Sequence, residues 1–466
     1  LLVGFILASM FSIYAVSNIA GITNIRDEKF VRVNQNYLQV SAGKVTSEMM
    51  EKYERMDGID YVLAGDSLVS LMMPLDDYYQ SAGAAEMLQG SLAAHEMVEE
   101  DKLIAGKMPE KKKELVIDKI VADNFLAGET PKMIGVDTYE ELIGRTVTID
   151  YLGNFTVAGI TDQKSPSIYA ARSLMADILM YQTQQGEEDT ESGESSQNGA
   201  EKLVNWELAE KTADSGEDQS IEITSGTAPE EDYHVLINEM YRYDQAIGST
   251  IDTKVNGRKL IVCGYYKDPR QGSQLYVNAN TARYSFLETQ QSLMLSPKTE
   301  ADQQTILEQL QSQNVKVEDC YQTARENYID SMKKQIIATI LVSGIILLIS
   351  LIEIYLMLRS SFLSRIKEVG VLRAIGLKKK DIYKMFAGEI VAMTTLTTLP
   401  GMAVMGYILN AVSKAPIIGE QYMMNPAVFL ISFGVVFGFN LMAGLLPVFG
   451  TMRKTPAEIL ARNDVN

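Results

Sequence analysis

The sequence predicts a membrane protein: four transmembrane α-helices and one large extracytoplasmic α+β domain. Three observations predict it: four long apolar runs, a wide gap between the first and second of them, and a division of charge along the chain. The 466 residues carry a formal net charge of −18. Residues 1–330 hold 28 Lys and Arg against 53 Asp and Glu, whereas residues 331–466 hold 14 against 7. The acidic part repels phosphate backbones, so nucleic acid is excluded as its partner. Two Cys (Cys263, Cys320) and two His (His95, His234) are too few for a zinc cluster, and no metal site is expected. A disulfide between the two Cys is left open by sequence alone.

Residues 1–22 are uncharged. At about 1.5 Å per residue they reach roughly 33 Å, enough for a hydrocarbon core of about 30 Å. This is the first span, and its lack of a basic leader implies a longer natural polypeptide or a trimmed leader. Residues 336–358 form the second span, held between Lys333-Lys334 and Arg359. Residues 385–412 form the third, with Gly388, Pro400, Gly401 and Gly406 tolerated where neighbouring helices satisfy the backbone. Residues 427–449 form the fourth, with Gly434, Gly438 and Gly444 as close-approach positions. Lys and Arg in short loops mark the cytoplasmic side. Residues 359–384 carry eight of them, and the tail 450–466 adds Arg453, Lys454 and Arg462, whereas residues 413–426 have only Lys414. Residues 23–335 are therefore extracytoplasmic.

Two doublings organise that domain. A β-α-β unit occupies residues 37–63: Tyr37–Val40 alternates, Val45–Met56 has helical spacing with Thr46 or Ser47 as its cap, and Tyr61–Leu63 is strand-like. A second occupies 293–330, as Leu293–Leu295, Thr299–Gln311 and Val315–Val317, and then feeds helically into the second span through Tyr321–Lys334. The two units are expected to pair into one small subdomain. Between them GKMPEKKKELVID (Gly106–Asp118) matches GTAPEEDYHVLIN (Gly226–Asn238) without gaps, and Ile143–Ile160 matches Ile247–Tyr266 as a second hairpin. The predicted turns are Gly153-Asn154 and Asn256-Gly257. This gives a duplicated small β-rich module at 106–170 and 226–280. Residues 182–231 join the copies with 14 acidic residues, too polar to bury a core, and are expected to be flexible apart from a short helix at Lys202–Lys211 around Trp206.

The most specific signal is Ser364–Ile390. Ile366, Val369, Leu372 and Ile375 recur at helical spacing, which puts Arg365, Lys367, Glu368 and Arg373 toward the cytoplasm. Gly376 ends the helix, and Lys378–Lys380 follow at headgroup level. Two acidic residues lie in spans, Glu353 in the second and Glu389 in the third. An ionised carboxylate in mid-bilayer costs about 2.5–3.5 kcal/mol, so each is expected to make an ion pair with Arg359 or Lys384 near the inner boundary or an interface contact, the alternative being a proton or substrate relay.

The stretch KEVGVLRAIGLKKKDI resembles the signature loop of FtsX-like and MacB-like permeases of ABC transporters, the type VII or mechanotransmission class. The likeness extends over the order of spans, the outer domain and the closing RKTPAEILAR. It implies that the loop is a coupling helix docking on an ATPase, with Arg365, Lys367, Glu368, Gly370, Arg373, Ala374 and Gly376 as coupling positions and Glu389 on the family's acidic position. It also implies that the flanking β-α-β units form a porter-like subdomain. The duplication of the small subdomain departs from the family pattern. No GxxxxGK[ST] sequence is present, so no cofactor is assigned to this chain, and ATP and Mg belong to a partner ATPase. Implied partners are an ABC ATPase subunit or domain, a second permease copy or homologous half, the lipid bilayer of a bacterial cell, and an unidentified extracytoplasmic substrate or protein. The implied function is export or efflux of peptide, lipoprotein or antibiotic-like substrates. One alternative is a signalling permease that senses antimicrobials or activates a wall hydrolase. A membrane-anchored enzyme is the other, and two isolated His with no GxSxG argue against it.

Overall fold

In the computed structural model of the chain, residues 2–73, 86–128, 131–132, 135–149, 151–182, 203–213, 221–267, 274–413 and 422–452 are described. The chain divides into two units, residues 1–26 with 329–466, and residues 27–328. In chain order the elements are α1 (Leu2–Thr23), β1 (Leu38–Ser41), α2 (Ser47–Glu54), β2 (Ile59–Ala64), β3 (Leu68–Met73), β4 (Glu86–Ala94), β5 (Leu103–Gly106), β6 (Glu114–Asp118), α3 (Lys119–Leu126), α4 (Tyr139–Leu142), β7 (Thr146–Ile149), β8 (Gly153–Thr161), β9 (Ser167–Ala170) and α5 (Arg172–Tyr181). They continue as β10 (Leu203–Asn205), α6 (Trp206–Ala213), β11 (Glu222–Gly226), β12 (His234–Asn238), β13 (Thr250–Val255), β14 (Arg258–Lys267), β15 (Leu275–Val277), α7 (Ala279–Thr289), β16 (Ser292–Pro297), α8 (Glu300–Ser312), β17 (Val317–Asp319), α9 (Cys320–Ser364), α10 (Ile366–Ala374), α11 (Lys379–Val412) and α12 (Pro426–Met452).

The two β-α-β units interleave. Their four strands form one antiparallel sheet in the order β17-β1-β16-β2, the arrangement of a split β-α-β pair. Thr46 caps α2 by accepting from Met49 N, and Thr299 caps α8 by accepting from Asp302 N. Alternation then divides the sheet's two faces. Leu38, Val40, Leu293 and Leu295 bury against Tyr53, Ile306 and Leu310 of the helices, while Tyr37, Tyr61 and Met294 face the next sheet. There the Tyr37 hydroxyl lies 2.6 Å from the Tyr61 hydroxyl and donates to Leu92 O at 2.6 Å.

That second sheet runs β5-β8-β6-β9-β4-β3-β7, and β7 also pairs with β8, so six of its strands close into a barrel. Leu71, Leu88, Leu115, Ile117, Val147 and Phe155 fill it. The third sheet, β10-β15-β12-β14-β11 with β13 on β14, repeats the same connections. Parallel β6–β8 and β12–β14 pair with matching register, and each carries a bulge at the same place, between Leu115 and Val116 and between Val235 and Leu236. The repeat reaches further than its sequence likeness, because β10 lies parallel to β15 as β4 does to β9.

Two expectations are corrected here. In the first hairpin Ile149 pairs with Gly153, so the turn comes before Gly153 and Gly153-Asn154 already belongs to β8; only the second turn falls at Asn256-Gly257, both at positive φ. The acidic joint 182–231 is not a flexible arm throughout. Leu203–Asn205 is a buried strand of the third sheet, and Trp206 packs edge-on against Tyr276 with ring centroids 5.7 Å apart. Apolar burial of Leu203, Val204, Trp206 and Ile221 offsets the ordering of their neighbours. Residues 183–202 and 214–220 of that joint lie outside the described residues.

Cys263 and Cys320 are both free thiols, and burial pushes the Cys263 thiol up to about 11. Non-reducing and reducing gels of the purified chain are therefore expected to show one mobility, and a reductant-sensitive shift of the monomer band would contradict the free-thiol state.

Among the described residues, four helices are long and apolar enough to cross a membrane, Val3–Thr23, Cys320–Ser364, Lys379–Val412 and Pro426–Phe449. Two of them, Cys320–Ser364 and Lys379–Val412, run well beyond the predicted spans, because the flanking polar turns continue the helix. Pro400 lies inside α11 without ending it. At Gly401 a Cβ would overlap the Ser9 hydroxyl and lie 2.7 Å from Ile6 O, so α1 and α11 cross in backbone contact. Of the glycines read as close-approach positions, Gly444 would bring a Cβ within 2.6 Å of Ile390 Cδ1, whereas Gly434 and Gly438 have no such neighbour among the described residues. The buried Ser12 hydroxyl bonds its own helix, to Ala8 O at 2.9 Å, whereas Ser17 donates to Met423 O at 2.9 Å and Asn440 donates to Thr394 across helices at 3.2 Å. The closing segment 453–466 lies outside the described residues.

Candidate functional site

The loop after the second span folds as α10, set between the ends of α9 and α11. Its stop is a Schellman motif: Gly376 takes φ +105, Gly376 N donates to Arg373 O at 3.1 Å, and Leu377 N donates to Leu372 O at 3.2 Å. Its inner face is apolar. Ile366 and Val369 pack with Phe362, Ile382, Phe386 and Val448, which come from α9, α11 and α12, and the Phe362 and Phe386 rings meet edge-on at 5.2 Å. Ile375 was expected on this face, but it follows the last helical residue and is 73% exposed.

Arg365 is the hinge of the site and was expected to face the cytoplasm. Instead its Nη1 donates to Glu389 Oε1 of α11, its Nε donates to Glu368 Oε2 at 3.0 Å, and its guanidinium lies over the Phe386 ring at 5.7 Å. The Glu368 hydrogen bond, followed by the nearby Glu389 charge, holds Arg365 above the usual arginine range. Glu389 is thus paired by Arg365, not by Arg359 or Lys384. Glu353 has no ion pair among the described residues and lies beside Gly4 of α1. Sequence spacing alone did not single out Arg365 as Glu389's partner, because they are 24 positions apart; the only signal was one cation at the head of the loop and one carboxylate at the head of the span.

The outward face carries the rest. Lys367, Glu368 and Ala374 are exposed, Gly370 is buried against the bundle, and Arg373 is half-buried. Val371, 48% exposed, and Ile375 stand among these charges, an apolar pair that the sequence reading had not assigned to this face. A mixed apolar and charged surface on one short, rigidly anchored helix suits a protein partner.

Residues 340–456, which contain this site, match the model of the FtsX-like permease C-terminal family. Over these residues the chain is similar to the C-terminal part of FtsX-like permeases. It is a multi-pass membrane protein with an extracellular domain, and permeases of this kind work with an ATPase partner. No curated protein matches the sequence. Among solved structures, the periplasmic region of MacB from Actinobacillus actinomycetemcomitans is similar at 15% identity, over 33% of this chain and 70% of that one, with a TM-score of 0.20. The extracellular domain of the noncanonic ABC-type transporter YknZ from Gram-positive bacteria is similar at 14% identity, over 32% and 79%, with a TM-score of 0.20.

Proposed function

We propose that this chain is the permease half of an ABC exporter, and that α10 is the element on which a cytoplasmic ATPase dimer docks. The carrying observation is the exposed Lys367, Glu368 and Val371 face of α10, continued by Ile375 at its C-cap, on a helix whose opposite face is locked into the bundle. Motion of a docked ATPase then reaches the spans by two links: Arg365 to Glu389 into α11, and one unbroken helix, α9, whose 45 residues rise about 68 Å and include the second span. The outer residues, tethered by the first and second spans, supply the working end. Two permease copies, or one with a homologous half, match the two faces of an ATPase dimer.

The test replaces Glu368 and Arg373 together by Ala. With the cognate ATPase in nanodiscs, stimulation of ATP hydrolysis by the permease is expected to fall at least about tenfold, with membrane insertion retained, as for loss of two charged contacts of about 1 kcal/mol each. Stimulation equal to the parent's would remove α10 as the docking element.

A further inference from the structure

The barrel of the 27–328 unit carries a groove that transmission of force does not use. A cavity of about 640 Å³ opens between the outward face of β3 and β4, helix α3 and the segment Val31-Arg32. That volume lies in the range of ligand pockets, about 300–1,000 Å³. Leu68, Met87 and Phe125 give it apolar walls. Polar groups converge on the same space. Ser70 and Gln89 are direct cross-strand neighbours, and Asn124 reaches it from α3. Neither the Ser70 hydroxyl nor the Gln89 and Asn124 amides have a partner among the described residues. Arg32, exposed at the rim, has no ion pair among the described residues although 53 carboxylates lie within residues 1–330.

We infer that this groove binds a short peptide with apolar side chains and one carboxylate. The carboxylate meets Arg32, the two amides and the hydroxyl take main-chain N–H and C=O groups, and the apolar walls take side chains. A hydrocarbon tail fits the walls equally well but would strip water from three polar groups without replacing their hydrogen bonds, at about 1–3 kcal/mol each. The chemistry therefore favours peptide over lipid. This goes beyond the proposed docking of an ATPase and needs no ATPase to be tested.

The experiment uses the full chain in nanodiscs, with empty nanodiscs as background, and reads fluorescence anisotropy of dansyl-Leu-Val-Phe bearing either a free carboxylate or a C-terminal amide. The carboxylate form is expected to bind about tenfold tighter than the amide, as for one charge-assisted hydrogen bond. Arg32→Gln is expected to bring the two forms level, and Gln89→Ala with Asn124→Ala to weaken both. Binding no greater than to empty nanodiscs, equal affinity of the two forms for the parent chain, or displacement by dodecanoate as efficient as by unlabelled Leu-Val-Phe would each overturn the inference. Loss of ATPase stimulation in the α10 variants reports on the docking proposal alone, so the two can fail separately.

Discussion

Reversing either charge of the Arg365 and Glu389 pair is expected to cut coupling about tenfold, and reversing both to restore it. The two side chains form the only ion pair among the described residues that links the loop after α9 to α11. Two unit charges at about 4 Å interact by about 4 kcal/mol at an effective dielectric constant of 20. Both groups are about a third exposed, at 35% and 38%, so solvent screening lowers the cost of one reversal to about 1–2 kcal/mol. That is still about tenfold between α10 held against α11 and α10 released. Arg365→Glu brings its carboxylate up against both Glu368 and Glu389, and is therefore the more damaging single change. Glu389→Arg leaves the Glu368 contact intact. The double variant rebuilds the pair with opposite polarity, so ATPase stimulation in nanodiscs should return to within about threefold of the parent. A double variant no better than its worse single would show that the pair does not carry the motion.

What could be read from the sequence divides along physical lines. The spans were legible because a bilayer demands about 20 apolar residues in a row, and local composition alone meets that demand. The four strands of the split β-α-β sheet were legible as elements, because Thr46 and Thr299 mark helix starts and the strands alternate, but their interleaving depends on pairing partners some 250 positions apart. Leu203–Asn205 was hidden for the opposite reason. Three apolar residues inside an acidic stretch have no periodicity, and only the vacant edge of β15 makes them a strand. The partner of Glu389 was likewise set by tertiary approach: Lys384 lies far closer to it in sequence than Arg365, the cation that binds it. Gly376 and the heptad-like Ile366 and Val369 were readable, whereas the exposed Val371 and Ile375 could be told from core residues only once the packed face of α10 was known.

The duplicated modules make a sharper prediction, because they repeat not only strands but their close contacts. Gly106, at φ +76, approaches Ala158 and Gly159 so that a Cβ would overlap Ala158 O and lie 2.8 Å from Gly159 Cα. Gly226, at φ +88, approaches Cys263 and Gly264 in the same way, with a Cβ overlapping Cys263 O and 2.5 Å from Gly264 Cα. Each module also holds a second glycine at positive φ with open space around it. Gly144 donates to Val157 O and Gly248 to Val262 O, both at 2.8 Å, and neither has an atom within 4 Å of a Cβ. Alanine at Gly144 or Gly248 meets only the left-handed backbone penalty, about 1–2 kcal/mol. Alanine at Gly106 or Gly226 meets that penalty and a collision with backbone that cannot rotate away, adding about 1–3 kcal/mol. The expected total of about 2–5 kcal/mol is a large share of the 5–15 kcal/mol that holds a domain folded. Pulse proteolysis across urea should then show Gly226→Ala opening the third sheet at clearly lower urea than Gly248→Ala, with the same order for Gly106→Ala and Gly144→Ala in the barrel. Equal losses within either pair would mean that the close glycine contacts are not what pins β5 and β11 to their neighbours, and that the two modules are held by their bulged parallel ladders alone.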